Sequence, residues 1–233
     1  MSLTPKIITA KQAAELIPSG SSVMFGGFVG CGAAHAVIDA MSKNEKLQNI
    51  HGIMNDSSLI NQPDGSEGLY AWAKLIHTGQ MTSYLGAHLG TNPEAEKKWA
   101  EGTLKVDLVP QGSFVEMIRA GGQGLGGVIT PTGVGTLVEQ SPYVDRKVEI
   151  SGKEYLLMKP IHADFAIISG YNVDARGNIW YKGATRTFSP HMAMAADVVI
   201  VEAENLVEIG DIEPENVVTP GIFIDYIVVR EAN

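Results

Sequence analysis

Ser22-Val23-Met24-Phe25-Gly26-Gly27-Phe28-Val29-Gly30-Cys31-Gly32-Ala33-Ala34-His35-Ala36-Val37-Ile38 is the stretch on which the fold assignment turns. Ser22 to Phe25 reads as a short buried strand, and Gly26 to Gly32 as a glycine-rich turn. Ala34, Val37, Ile38 and Met41 then recur at the spacing of a buried helix face over Ala33 to Met41. A strand, a glycine loop and a helix in that order are the usual opening of a parallel α/β sheet.

Outward from this unit the pattern continues. Upstream, Thr9 with Gln12 three residues on is a capping box for a helix through Ala13, Ala14, Leu16 and Ile17, which Pro18-Ser19-Gly20 ends. Downstream, Leu47 to Met54 reads as a second strand that delivers Asn55-Asp56 to its end. Asn61 to Gly79 reads as a long loop with an amphipathic turn near Trp72 and Leu75, and Thr82 to Leu85 as a further strand. Asn92-Pro93-Glu94 opens a helix with proline at its first position. Val106 to Val109 is a strand, Pro110-Gln111-Gly112 a turn, and Ser113 the cap of a helix from Phe114 to Arg119. Tyr155 to Met158, Phe165 to Ile168, Val198 to Val201 and Asp225 to Val229 complete the strands, with turns at Gly170, Gly177 and Gly183. The expectation is α/β: a mostly parallel sheet with flanking helices and inserted β-hairpins, in one compact domain spanning residues 1–233.

Charge and cysteine content narrow the function. Seventeen Lys and Arg against 26 Asp and Glu leave a net charge of −9, the wrong sign for a chain whose affinity would come from nucleic-acid phosphates. No apolar run is long enough to span a bilayer, and no secretory signal is visible at the N-terminus. Cys31 is the only cysteine, so no internal disulfide exists and a reducing cytoplasm is the natural setting. Its expected place is a small buried side chain.

Three groups of residues could carry chemistry. The first glycine loop, with Gly26, Gly27, Phe28 and Gly30, reads either as a ligand-side loop or as a tight packing turn, and Phe28 as a ligand wall or a core plug. Gly121 to Gly127 contains a formal G-x-G-x-x-G, but it follows a helix and so lacks the context of a dinucleotide site; it reads as a loop able to cover a substrate. Asn55, Gln111 and the His88 to Glu94 segment each follow a strand, and strand ends on one side of a parallel sheet converge. A neutral amide donating to an oxyanion suits acyl transfer; the bland alternative for each is a turn or capping role. No metal-ligand cluster and no G-x-S-x-G elbow occur.

The ordered set of motifs resembles the alpha subunits of the 3-oxoacid and acetate/butyrate–acetoacetate CoA-transferases, the family I CoA-transferases. It includes Gly26-Gly27-Phe28, Asn55-Asp56, Gly90-Thr91-Asn92-Pro93-Glu94, Val109-Pro110-Gln111-Gly112, Thr130-Pro131-Thr132-Gly133-Val134-Gly135-Thr136, Ala163-Asp164 and Val218-Thr219-Pro220-Gly221. The resemblance spans nearly the whole chain. It implies a ping-pong exchange of CoA between a short-chain acyl-CoA and a carboxylic acid, through a glutamyl-CoA thioester whose glutamate belongs to a beta-type partner subunit. Glu94, Glu116 and Glu139 would then be structural. Gln111 and Asn55 would stand beside the reacting carboxyl groups, with Gly26, Gly27, Phe28 and Gly30 lining the site of the CoA substrate. No permanently bound cofactor is implied, CoA being a substrate moiety. The implied assembly is a cytoplasmic hetero-oligomer of two alpha and two beta subunits or more. Departures from the pattern are Ala34 in place of a proline, Gln123 in place of an alanine, and a longer Asn61–Ala87 stretch with Trp72 and His77. A related acyl-CoA hydrolase or isomerase, or a non-catalytic subunit, are the alternatives.

Overall fold

The computed structural model describes residues 4–61, 65 and 68–230. The opening unit folds as its sequence reads. Strand β1 (Lys6–Ile8) leads into α1 (Ala10–Leu16), β2 (Ser22–Phe25), α2 (His35–Ser42) and β3 (Ile50–Met54). The capping box is made in both directions: Gln12 N donates to Thr9 Oγ1 at 3.2 Å and Thr9 N to Gln12 Oε1 at 2.9 Å. β3 starts later than expected because Asn49 holds φ at 60°, outside the strand region.

Next come α3 (Ala73–His77), β4 (Met81–Gly86), α4 (Pro93–Ala100), β5 (Lys105–Leu108) and α5 (Gln111–Gly122). The expected proline start of α4 is present, with Asn92 Oδ1 accepting from the Glu94 and Ala95 amides. The expected cap of α5 is not. Pro110 O already accepts from Phe114 N at 2.9 Å, so the first helical turn closes around Gln111, and Ser113 lies inside the helix.

The second half adds β6 (Val128–Thr130), β7 (Val144–Ile150) and β8 (Lys153–Met158), a small antiparallel sheet ordered β6-β8-β7. It is followed by β9 (Ala163–Asp174), β10 (Ile179–Trp180), α6 (Ser189–Met194), β11 (Ala196–Val207) and β12 (Tyr226–Val229). Gly170 is not a turn, as its sequence suggests. It sits inside β9, where pairing with β11 runs from Ala163 to Asp174, and its missing side chain admits Ile179.

The main sheet runs β1-β12-β11-β9-β2-β3-β4-β5, all parallel, with β10 antiparallel on β9. It joins two blocks distant in sequence at the β2–β9 seam, where Ser22 N and Oγ both donate to Asp164 Oδ2 at 2.8 Å. Both faces are covered, so the central strands are apolar on both sides. Val23 and Phe25 join the core under α1 to α4, and Met24 joins the one under α5, α6 and the small sheet. Among the described residues, no helix is long and apolar enough to cross a membrane.

Candidate active site

Four adjacent parallel strands, β2 to β5, end at the same edge of the sheet. Gly26, Asn55 and Gln111 all lie along that edge. Gly26 and Asn55 follow Phe25 and Met54, which are paired, so their strands are neighbours. Gln111 follows β5, two strands beyond β3, or about 10 Å between strand axes.

The glycine loop is a hairpin. Phe28 N donates to Cys31 O at 3.0 Å and Cys31 N to Phe28 O at 2.9 Å, which leaves Val29 and Gly30 as a two-residue turn with φ of 51° and 81°. Positive φ at both positions is the type I′ geometry. Directly paired residues of a hairpin present their side chains on one face. Phe28 is therefore 56% exposed, and Cys31 is exposed with it, not buried as its sequence context suggests. Gly30 must lack a side chain, since a Cβ there would lie 2.3 Å from the Tyr70 ring.

Asp56 staples this hairpin to the end of β3. Its Oδ2 accepts from Val29 N at 2.7 Å and from Asn55 Nδ2 at 2.9 Å, and its Oδ1 accepts from Ser58 N at 2.7 Å. Its backbone oxygen accepts from Trp72 Nε1 at 2.7 Å. Sequence reasoning put the chemistry on Asn55 and passed over its neighbour; an acidic residue directly after a buried strand was the available signal. The staple also orients Asn55, because a carboxylate can only accept. The Asn55 amide nitrogen must face Asp56, which leaves Oδ1 on the other side, buried and without a partner among the described residues.

The start of α2 does not offer a phosphate cradle. The Ala36 and Val37 amides donate to Glu202 Oε2 at 2.8 and 3.1 Å, so a carboxylate of the chain itself holds the anion position. In the loop, the amides of Gly26, Phe28, Val29, Cys31 and Ala33 also have acceptors. What the loop presents outward is chiefly the Phe28 side chain.

Gln111 is the first residue of α5. It is exposed, and no hydrogen bond among the described residues uses its side chain. The second glycine cluster is only partly a loop. Gly121 and Gly122 belong to the last turn of α5, where a Cβ at Gly121 would meet Ile161 O at 1.8 Å. The three glutamates singled out by sequence are engaged elsewhere: Glu94 with His77 and Lys98, Glu116 with Arg119, and Glu139 with Lys147 and the Gly135 amide. Among the described residues no group of three or more His, Cys, Asp or Glu is gathered as a metal site requires.

Comparison with known proteins agrees with this architecture. The family model described as coenzyme A transferase matches residues 7–230. The chain is 44% identical over 230 residues to the acetoacetyl-CoA:acetate/butyrate CoA transferase alpha subunit of Clostridium acetobutylicum, covering 99% of this chain and 100% of that one. It is 37% identical over 226 residues to the acetate CoA-transferase subunit alpha of Escherichia coli, covering 97% of each. Among solved structures, glutaconate coenzyme A-transferase of Acidaminococcus fermentans superposes with a TM-score of 0.80 at 20% identity, over 96% of this chain and 75% of that one. An acyl-CoA transferase of Escherichia coli superposes with a TM-score of 0.83 at 21% identity; the match covers 99% of this chain but only 48% of that longer one. At those identities the structures speak for the fold, and the sequence matches supply the rest: the chain belongs to the coenzyme A transferase family, as a subunit of the alpha type.

Proposed function

We propose that the chain works with a beta-type subunit to move CoA between a short-chain acyl-CoA and a short carboxylic acid, and that the beta-type subunit supplies the glutamate that becomes acylated. The observation that carries this reading is the make-up of the strand edge. It carries two neutral amides, the buried Asn55 and the exposed Gln111, and an exposed aromatic, Phe28. Its own carboxylate, Asp56, is 1% exposed and accepts three hydrogen bonds. A carboxylate so engaged is a poor nucleophile, which supports an attacking group supplied from across the edge.

The partner's glutamate carboxylate attacks the thioester carbon, the C–S bond breaks, and CoA leaves as thiolate. The thiolate then attacks the glutamyl carbonyl of the resulting anhydride, and the first acid departs as its carboxylate. The acceptor acid reverses these steps, with no net proton or redox change. Each addition places charge on an oxygen, where the Gln111 amide and the second N–H of Asn55 would donate. Gly26, Gly27, Phe28 and Gly30 would line the side of the site taken by the CoA substrate, CoA being a substrate and not a resident cofactor. Names of relatives favour acetate, butyrate or acetoacetate as the acids. An assembly of two subunits of each type or more, and residence in a reducing cytoplasm where the exposed Cys31 thiol persists, belong to the same proposal.

The test is a CoA-exchange assay over a panel of acyl-CoA donors and short carboxylates, with the chain alone and with a beta-type subunit. Exchange is expected only in the mixture. Exchange by the chain alone, or acyl-CoA release that needs no acceptor acid, would refute the reading.

A further inference from the structure

Four buried polar atoms have no partner among the described residues: Asn55 Oδ1 at the strand edge, and Thr187 Oγ1, Ser189 Oγ and His191 Nδ1 farther along the chain. Folded proteins leave few such atoms, and each calls for a cause. The last three come from the stretch 187–191 around the start of α6, part of a segment after β10 that carries no motif in the sequence.

That segment lies against the glycine loop at two points. A Cβ at Gly26 would stand 2.5 Å from Ser189 Oγ, so Gly26 is the residue that lets this hydroxyl reach the end of β2. A Cβ at Gly32 would stand 2.5 Å from Thr185 O. On its other side the segment is tied to α5, where Phe188 meets Phe114 edge-on with centroids 5.8 Å apart, three residues past Gln111. Ser189 thus lies between Gly26, which follows β2, and the helix that starts at Gln111. Asn55 follows the strand paired with that of Gly26.

The backbone is strained at the same place. Among the described residues, the β-branched side chains with positive φ are Val29 and Thr187, at 51° and 42°. Such residues resist this region, and strain of this kind gathers where function over-determines the backbone. One lies at the tip of the loop and the other two residues before Ser189. Local structure does not account for the hydroxyl either. Ser189 is the first residue of α6, the preceding position makes no side-chain cap, and Ser189 is 0% exposed.

We propose that Ser189 is a substrate-binding residue of the transferase site, its hydroxyl donating a hydrogen bond to a carboxyl or thioester oxygen of the acid in transit. The inference rests on the CoA-transferase reading above. It places a donor on the glycine-loop side of the reacting carbon, opposite Gln111, and makes Gly26 the residue that admits it. Asn55 Oδ1, which can only accept, marks the adjoining position as one for a ligand N–H or O–H.

The test uses the complex with its beta-type partner and compares wild type with Ser189→Ala. Removing a buried hydroxyl that lacks a partner costs no hydrogen bond, so Tm and co-elution of the subunits are expected to hold or improve. kcat/KM for CoA exchange is expected to fall on the order of 10²- to 10³-fold, as when an oxyanion donor is lost. A double-mutant cycle guards against misfolding. Gly26→Ala should lower Tm, because its methyl meets Ser189 Oγ, and adding Ser189→Ala should recover much of that Tm while exchange stays slow. An S189A complex with wild-type kcat/KM overturns the assignment, as does activity that falls only in step with Tm. A wild-type complex that exchanges no CoA fails the transferase reading itself and takes the role of Ser189 with it.

Discussion

Glu202 and Arg230 form an ion pair at 2.7 Å beneath the start of α2, with Glu202 fully buried and its other oxygen accepting from two helix amides. One buried carboxylate therefore ties β11, the residue following β12, and the helix that leaves the glycine loop.

Arg230→Met is expected to destabilise the chain by about 3 kcal/mol, the lower end of the range for breaking a buried pair, because Arg230 is partly exposed. Burial already holds the Glu202 carboxyl above its usual range, and Arg230 pulls it back down. A carboxyl raised in the folded state gains folding free energy as pH falls through that raised value. The deficit of the variant should thus be largest near neutral pH and shrink toward acid. Thermal unfolding across pH would show this, and an equal deficit at every pH would count against it.

His35 gives the opposite sign. Burial, with Arg230 nearby, lowers it from 6.5 to about 4, so the unfolded chain takes up the proton first. This residue should cost stability as pH falls from about 6.5 to about 4. In His35→Gln the urea midpoint should vary less with pH over that window, and in the wild-type chain the His35 ring followed by NMR should titrate with its midpoint near 4. A midpoint near 6.5 would contradict the half-buried placement beside Tyr70.

Val29→Asn should stabilise the chain by about 1 kcal/mol, since asparagine tolerates the left-handed backbone that a β-branched residue resists. Tm would rise by about 2–4 °C for a chain of this size. The amide held by Asp56 remains, so a drop in Tm would mean that the Val29 side chain contributes packing worth more than the strain.

Gln111→Ala should slow CoA exchange by about 10²–10³-fold, the cost of one oxyanion donor, with Tm and assembly unchanged. The second half of that expectation follows from structure. The side chain is exposed and fastens nothing among the described residues, so a fall in Tm alongside rate would reassign it to the partner interface. An unchanged kcat would remove it from the site.

Much of this was legible in sequence, for physical reasons that also mark where legibility stops. Short-range signals held. Thr9 with Gln12, Asn92 with Pro93, and the strand–glycine–helix opening each depend on residues a few positions apart. The parallel edge that lines up Gly26, Asn55 and Gln111 followed from their places after strands. Effects of pairing across distance did not show. Cys31 is exposed because it pairs with Phe28 in a hairpin, and Ser113 does not cap α5 because Pro110 already closes its first turn. Glu202 reaches α2 from 166 residues away. Thr187 and Ser189 form no motif; the space left by Gly26 reveals Ser189, and backbone strain reveals Thr187.

On the ribosome, β2 is finished long before its neighbour exists. Its seam with β9 is closed by residues 142 positions later, at Ser22 and Asp164. At roughly 5–20 residues per second, that is a wait of about 7 to 28 seconds. β3 can close one side of β2 early, but the hydrogen-bonding edge of Val23 to Phe25 that faces β9 stays open throughout. An apolar, unpaired edge is a template for wrong partners. The strand that carries the glycine loop thus stays open to mispairing along one apolar edge while most of the chain is being made.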